Sequence, residues 1–239
     1  IDLKNASNDE KQIQLLDAAC RDHGFFILKN HGIQNQIDHM WKLSEWFFSQ
    51  DRKDKLKLLR SEEIPLGFYD RELTKQKRDL KEVFDFMETR TEHDINQWPE
   101  EVSFKDSMQD FFIKSSGVAN KTLDLILTCL GLPENNYVFG DSRTSNARLN
   151  YYPVNDPLSD LEKDNVNELG DMALHHHTDP GILTLLLQDM TGGLQAKSKE
   201  HGWIDIPPEK NSIVVNLGDA MQVWTNDNYV AAIHRVVKR

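Results

Sequence analysis

The pattern of apolar residues changes at about residue 143, and this change does most to limit the possible folds. After it come four short runs rich in β-forming residues, ARLNYYPV, GILTLLLQDM, NSIVVNLGDAMQVWT and AAIHRVV, which Gly, Pro and Asn or Asp turns separate. Before it, apolar residues recur mainly at helical spacing. The sequence therefore predicts a β core preceded by a mainly helical region.

The first half is expected to contain three helices and one strand. The charge run 51–57 is interpreted as a solvated helix face or turn, and residues 61–100 as irregular. The apolar positions of the second and third helices are expected to form the core. The predicted helices are NDEKQIQLLDAACRDHG, NQIDHMWKLSEWFFSQDRKDKLKLL and Ser103–Leu130, and the predicted strand is Phe25–Leu28.

Composition narrows the class of protein. The 239 residues suffice for one large domain, and a net charge of -11 argues against a nucleic-acid partner or an anionic membrane. Neither an apolar run of membrane-spanning length nor signal-peptide features at IDLKNASNDE are found, so a cytoplasmic location is expected. Cys20 and Cys129 are expected to be buried thiols. The expected partner is a small-molecule substrate, with no obligate protein partner.

One set of residues has the side chains of a metal site. His177 and Asp179 flank a single residue, so in an extended strand both side chains point to the same face. A third ligand, His234, lies far enough along the chain for several strands to intervene. Two imidazoles and one carboxylate on one face of an octahedral ion leave positions open, which suits Fe(II) that must also bind a co-substrate and O2.

The sequence around these residues is specific. It contains HHHTDPGILTLLLQD, GGLQ at residues 192–195, NLGDAMQVWTN and HRVV, and the first half contains ACRDHGFFILKNHGI, KEVFDF and NQWP. In this order the motifs resemble the plant-type 2-oxoglutarate/Fe(II)-dependent dioxygenases, the superfamily that includes isopenicillin N synthase. The resemblance covers nearly the whole chain.

The resemblance implies a mainly β protein with a double-stranded β-helix, or jelly-roll, core flanked by helices. Residues 1–140 would form the helical N-terminal region, and residues 141–239 the catalytic core, truncated at its C-terminal end. Fe(II), 2-oxoglutarate and O2 would together oxidise an unactivated C–H bond of a small molecule, such as a secondary metabolite, by hydroxylation, desaturation or oxidative cyclisation. Succinate and CO2 would be released.

The family pattern also assigns further residues. In the His run at 175–177, only His177 precedes x-Asp-Pro-Gly, so it inherits the ligand role. Asn150 and Tyr152 match the Asn-x-Tyr pattern that contacts 2-oxoglutarate. The arginine that anchors 2-oxoglutarate in relatives has no counterpart in this sequence. Candidates for substrate contacts complete the set: Tyr69, Phe84 and His175, with packing favoured as the alternative for the two aromatic residues.

Two other functions stay open from the sequence. An oxidase of the same superfamily would keep the iron and not use 2-oxoglutarate, although Asn150 and Tyr152 argue against this alternative. The second open function is that of a non-catalytic ligand-binding protein on the same fold. The complete set of His177, Asp179 and His234 argues against it, since a protein that has lost catalysis has no reason to keep all three.

Overall fold

The computed structural model describes residues 1–89, 94–132 and 144–238. By the density of its internal contacts the chain divides into two compact units. Unit 1 consists of Ile1–Gln34, Ser115–Phe139 and His176–Arg239, and unit 2 of Asn35–Lys114 and Gly140–His175. Each unit is therefore built from segments that are distant in sequence, and both halves of the chain contribute to each.

Helices dominate the first half of the described chain. The first helix begins where the Asp9 carboxylate accepts hydrogen bonds from the backbone N–H groups of Lys11 and Gln12. The predicted first helix, first strand and long third helix are confirmed, and the second ends earlier than predicted. The helices are α1 Glu10–Asp22, α2 Gln34–Ser49, α3 Arg52–Lys55, α4 Val102–Cys129, α5 Asp160–Lys163 and α6 Asp219–Trp224.

The strands of the described chain are short, and the register given for each pair within the three larger sheets is antiparallel. The architecture is thus mixed helix and antiparallel sheet, with more helix than the mainly β prediction. The strands are β1 Phe25–Lys29, β2 Gly67–Tyr69, β3 Leu73–Thr74, β4 Lys77–Arg78, β5 Glu82–Phe86, β6 Ala147–Tyr151, β7 Leu174–His177, β8 Leu183–Leu186, β9 Leu194–Ser198, β10 Gly202–Asp205, β11 Ser212–Leu217 and β12 His234–Val236.

Unit 1 contains two sheets. One has the order β1-β11-β8, and the other has the order β10-β9-β12-β7. The central strand β11 is buried over most of its length, because its residues Ile213, Val214, Val215 and Leu217 pack in the core. This burial explains the continuous apolar run in that part of the sequence.

Unit 2 is organised around the sheet β2-β5-β6 and an aromatic cluster on one of its faces. Phe84 of β5 is fully buried, with ring centroids 4.7 Å from Phe47 of α2 and 5.5 Å from Phe104 of α4. Trp98 and Phe86 extend the cluster. These rings hold α2 and the start of α4 against the sheet.

The structure differs from the sequence prediction at three further points. Residues 61–100 contain the strands β2 to β5, which pair over a few residues each and so leave little periodic signal. The run NSIVVNLGDAMQVWT is not one β segment, because α6 begins after Gly218. Lys55, predicted on a solvated face, is buried and paired with Glu82.

The two cysteines are free thiols, with Cys20 buried and Cys129 partly buried. Burial raises the pKa of the Cys129 thiol to about 11, so it stays protonated at neutral pH. Within the described ranges, none of the helices combines the length and apolar character needed to cross a membrane. The cytoplasmic location stays a prediction.

Candidate metal centre

Three side chains converge in unit 1, and they are the three that the sequence analysis singled out. His177, Asp179 and His234 each offer one ligand atom, and these atoms lie within 4.8 Å of one another. In the part of the chain that the structure describes, they form the one group of three or more His, Cys, Asp or Glu residues with this geometry.

The ligand atoms have nearly the spacing that a metal ion requires. The Nε2 atoms of His177 and His234 lie 3.5 Å and 3.8 Å from Oδ1 of Asp179. Neighbouring ligands on an octahedral ion with bonds of about 2.1 Å are about 3.0 Å apart, so each of these two distances exceeds the octahedral value by less than about 1 Å.

Two strands and one turn carry the three residues. His177 is the last residue of β7 and His234 the first of β12, and these strands are neighbours in one sheet. Asp179 lies in the turn after β7, not within an extended strand as the spacing argument assumed. The main chain fixes this turn, because the N–H of Asp219 donates to the Asp179 carbonyl oxygen at 2.7 Å.

The Asp179 carboxylate is held from one side. Its Oδ2 accepts hydrogen bonds from Oγ1 of Thr184 at 2.5 Å and from Nδ2 of Asn216 at 2.8 Å. Burial raises the pKa of Asp179, but hydrogen bonds from His177, Thr184 and Asn216 outweigh this effect and set its pKa well below the ordinary value. The carboxylate is therefore ionised at neutral pH, as a metal ligand must be.

His234 is held in the neutral form that a metal binds. Burial lowers its pKa, although its hydrogen bond to the Ala232 carbonyl acts in the opposite direction. Because Nδ1 lies 3.0 Å from this carbonyl oxygen, Nδ1 carries the proton and the Nε2 lone pair faces Asp179. Two imidazoles and an ionised carboxylate are a donor set that fits Fe(II).

The other two residues of the histidine run have different surroundings. The ring of His176 is exposed and lies 6.0 Å from that of Trp203. His175 lies between two carboxylates, with Nδ1 3.0 Å from Asp79 and Nε2 3.1 Å from Asp171.

The predicted co-substrate residues belong to unit 2. Asn150, Val83 and Tyr69 are register partners across β6, β5 and β2, so the three side chains share one face of that sheet. Tyr152 follows β6 directly and is 36% exposed. Burial of its hydroxyl and the charge of Asp79 raise its pKa above the ordinary value, so the hydroxyl keeps its proton.

Phe84 lies on the opposite face of this sheet. It is fully buried in the aromatic cluster described above, with no surface left for a substrate. Phe84 is therefore a packing residue, which is the alternative that the sequence analysis favoured. Its burial does not support a substrate contact. Strand alternation explains the difference between Tyr69 and Phe84, since Phe84 is the neighbour of Val83 in β5.

Sequence reasoning missed an ionic network on the Tyr69 face of unit 2. Arg148 forms a bidentate ion pair with Asp85, with Nε 2.6 Å from Oδ1 and Nη2 2.8 Å from Oδ2. Glu72 accepts from Lys81 at 2.8 Å and from Arg148 at 2.9 Å, and Arg60 contacts both carboxylates. No local motif marks these residues, because the pairs are separated by up to 76 positions.

Two family models match the chain. The model described as 2OG-Fe(II) oxygenase superfamily matches residues 143–239, and the model described as non-haem dioxygenase in morphine synthesis N-terminal matches residues 1–101. The first match includes all three residues of the candidate metal centre.

Individual proteins agree with these models over the whole chain. The 1-aminocyclopropane-1-carboxylate oxidase 4 of Solanum lycopersicum is 34% identical, over 99% of this chain and 73% of the relative. The crystal structure of a full-length Neurospora crassa protein in complex with alpha-KG has a TM-score of 0.84 and 30% identity, and the match covers 100% of this chain and 78% of the other. A further complex of the same Neurospora crassa protein contains alpha-KG and 5-formyluracil, with 31% identity and a TM-score of 0.84 over 100% of this chain and 77% of the other.

The site and these matches define an oxidoreductase of the non-haem iron type. The chain belongs to the 2-oxoglutarate/Fe(II)-dependent dioxygenases of the superfamily predicted from its motifs. Its cofactors are accordingly Fe(II) and 2-oxoglutarate, with O2 as the oxidant.

Proposed function

We propose that His177, Asp179 and His234 bind one Fe(II) and that the enzyme oxidises a C–H bond of a small-molecule substrate. The single observation that carries this proposal is the convergence of the three ligand atoms within 4.8 Å, with a carboxylate that is ionised at neutral pH. When bound there, Fe(II) supplies, with 2-oxoglutarate and O2, the oxidising power for C–H cleavage, and succinate and CO2 are released.

The protein's own residues prepare the site. The Ala232 carbonyl orients the His234 ring, and Thr184 and Asn216 orient the Asp179 carboxylate. These three residues would hold the Fe(II), and as three ligands they would leave coordination positions for the co-substrate and O2.

The proposed core is a double-stranded β-helix. Support comes from the two antiparallel sheets of unit 1 and from the likeness to the Neurospora crassa protein. His177 and His234 belong to one of these sheets, whereas Thr184 and Asn216 belong to the other. The boundary between N-terminal region and catalytic core near residue 140 stays part of this proposal.

Asn150 and Tyr152 are the proposed contacts to 2-oxoglutarate. The protonated hydroxyl of Tyr152 suits donation to a carboxylate. Arg148, two positions from Asn150, is already committed to Asp85 and Glu72, so we do not assign it as the 2-oxoglutarate anchor.

We propose a small molecule as the substrate, and Tyr69 as a residue beside it. Tyr69 shares a sheet face with Asn150, and the Arg60 guanidinium lies 4.1 Å from its ring centroid, which holds the ring in place. Similar proteins support the substrate class, since one is named for 1-aminocyclopropane-1-carboxylate and one complex of the Neurospora crassa protein contains 5-formyluracil.

For His175, we propose an indirect role, because both ring nitrogens already face carboxylates. Hydroxylation, desaturation and cyclisation are all compatible with these ligands.

The test is anaerobic titration of 2-oxoglutarate into the Fe(II)-loaded protein. The titration is monitored through the visible charge-transfer band that bidentate chelation produces. We expect the band in the wild type, its loss in Asp179→Ala, and its retention in the control Asp189→Ala. Asp189 is exposed, and its carboxylate accepts a hydrogen bond from the backbone N–H of Thr191. His177→Ala should likewise lose iron binding while the far-ultraviolet circular dichroism stays that of the wild type.

Other outcomes separate the alternatives. Iron binding without the band would favour an oxidase that does not use 2-oxoglutarate. Absence of iron binding would favour a non-catalytic ligand-binding protein. A band of full intensity in Asp179→Ala would refute the proposed ligand set.

A further inference from the structure

The two oxygens of the Asp179 carboxylate have different surroundings. Oδ1 faces the Nε2 atoms of His177 and His234. Oδ2 faces away from them and accepts two hydrogen bonds, from Thr184 and Asn216. Only one oxygen is thus directed at the proposed metal position.

The two donors form a cross-strand pair. Thr184 of β8 and Asn216 of β11 are direct register partners, so their side chains leave the sheet on the same face. The main chain fixes the distance from this pair to Asp179, since the N–H groups of Gly218 and Ala220 donate to the carbonyls of Ile182 and Gly181. The carboxylate therefore meets two donors on a rigid support.

Asn216 is retained there at a cost. It is fully buried, and its Oδ1 finds no hydrogen-bond partner among the residues that the structure describes. A buried polar atom without a partner destabilises the folded state, because it has lost its hydrogen bonds to water. A residue of this kind in the middle of an apolar strand needs an explanation, and its hydrogen bond to Asp179 is the specific interaction that an apolar residue could not make.

We propose that Thr184 and Asn216 are positioning residues that allow Asp179 to bind the metal through Oδ1 alone. This inference rests on the proposed iron ligation. A carboxylate released from these donors is free to turn and bind through both oxygens, and it would then occupy a position that the co-substrate or O2 needs. The pair thus controls how many positions stay open.

The test uses Co(II) alone, without co-substrate or turnover. The variants are Thr184→Val, which removes the hydroxyl at nearly constant volume, Thr184→Ser, which restores it, and Asn216→Ala. The matched control is Thr122→Val, since the Thr122 hydroxyl is also buried but donates to the Val118 carbonyl within α4. The readouts are the Co(II) dissociation constant and the visible Co(II) spectrum, which changes when a second carboxylate oxygen replaces a bound water.

We expect Thr184→Val and Asn216→Ala to weaken Co(II) binding about 10- to 100-fold, and to change the Co(II) spectrum. Thr184→Ser should restore both values, and Thr122→Val should leave both unchanged. Because Thr184→Val is nearly isosteric, it keeps the inference testable even if Asn216→Ala does not fold.

An affinity of Thr184→Val within about twofold of the wild type, or an unchanged spectrum, would overturn the positioning role. So would failure of Thr184→Ser to restore the spectrum, since a purely structural role would alter stability but not coordination. If the wild type itself binds no Co(II), or if His177→Ala binds it equally well, the proposed iron ligation fails and this inference fails with it.

Discussion

Replacement of Lys55 by methionine should strongly destabilise unit 2. The Lys55 ammonium is 2.6 Å from Oε2 of Glu82 and 3.1 Å from the Phe48 carbonyl oxygen, and both charged side chains are about 95% buried. Methionine keeps most of the apolar stem, so the main loss is the positive charge. Removal of one partner from a buried ion pair costs about 3–5 kcal/mol of the free energy of unfolding, because the other charge is left without compensation.

A double variant separates this charge effect from packing. In Lys55→Met with Glu82→Met both charges are absent, and apolar side chains of similar volume fill the space. Because desolvation of the ion pair nearly offsets its attraction, we expect the double variant to lie within about 1 kcal/mol of the wild type.

The cost of Lys55→Met should depend on pH. Burial already raises the pKa of Glu82, and Lys55 opposes this increase. Without Lys55 the folded-state pKa rises further above the unfolded value of about 4.3. Because the folded state then disfavours the ionised form, the cost is complete above the folded-state pKa. It shrinks by about 1.4 kcal/mol for each pH unit as pH falls from that pKa to the folded-state pKa of Glu82 in the wild type, because below that pH both folded proteins bind the proton.

Urea unfolding at pH 8 and pH 5.5, monitored by tryptophan fluorescence, measures how much free energy of unfolding Lys55→Met removes at each pH. The control is Lys57→Met, since Lys57 is 73% exposed in its pair with Asp54 and such exposed pairs contribute little to stability. If Lys55→Met costs no more than the control, or costs the same at both pH values, the reasoning about the buried pair is wrong.

Three further predictions concern single contacts. A Cβ on Gly218 would lie 2.3 Å from the Gly181 carbonyl oxygen, so Gly218→Ala should cost about 1–3 kcal/mol and weaken Co(II) binding; an unchanged dissociation constant in a metal titration would contradict this. Burial raises the pKa of Glu72, but neighbouring cations outweigh this and lower it to about 2. Its stabilisation, about 3 kcal/mol, is therefore present above pH 4.5 and lost as pH falls through 2, and Glu72→Gln should lack it in acid titrations of stability. The Tyr229 hydroxyl donates to Asp17 at 2.6 Å, so Tyr229→Phe should lower the free energy of unfolding by about 1–3 kcal/mol, and a loss under about 0.5 kcal/mol in urea unfolding would exclude an important contribution.

Elements with strong local signals were predicted well from the sequence. Helices α1 and α4 have long apolar periods, and α1 also has an Asp9 cap that the sequence displays directly. The short strands β2 to β5 were missed because a strand of two to five residues is specified mainly by its partners. Helix α6 was missed because it follows β11 after a single residue, so the apolar run of the strand continues into the helix.

Burial was predicted less well than element type. Phe84 and Tyr69 are both aromatic residues in the same region, yet one is core and the other lies on the polar face of the sheet. Lys55 occurs in a charged run and is nevertheless buried, because Glu82, 27 positions later, supplies its partner. Neither outcome follows from local composition.

At the metal centre, the residue types, the spacing of His177 and Asp179 and the family resemblance of the surrounding motifs, which include HRVV at His234, together predicted the ligands, since ligand chemistry belongs to the residue type. How these side chains are held depends on the folded chain. Asn216 reaches Asp179 from 37 positions away, and the Ala232 carbonyl selects the His234 tautomer. Hydrogen bonds of this kind depend on the register of β11 against β8 and on the path of the chain into β12. Many distant contacts set that geometry together, so no short stretch of sequence encodes it.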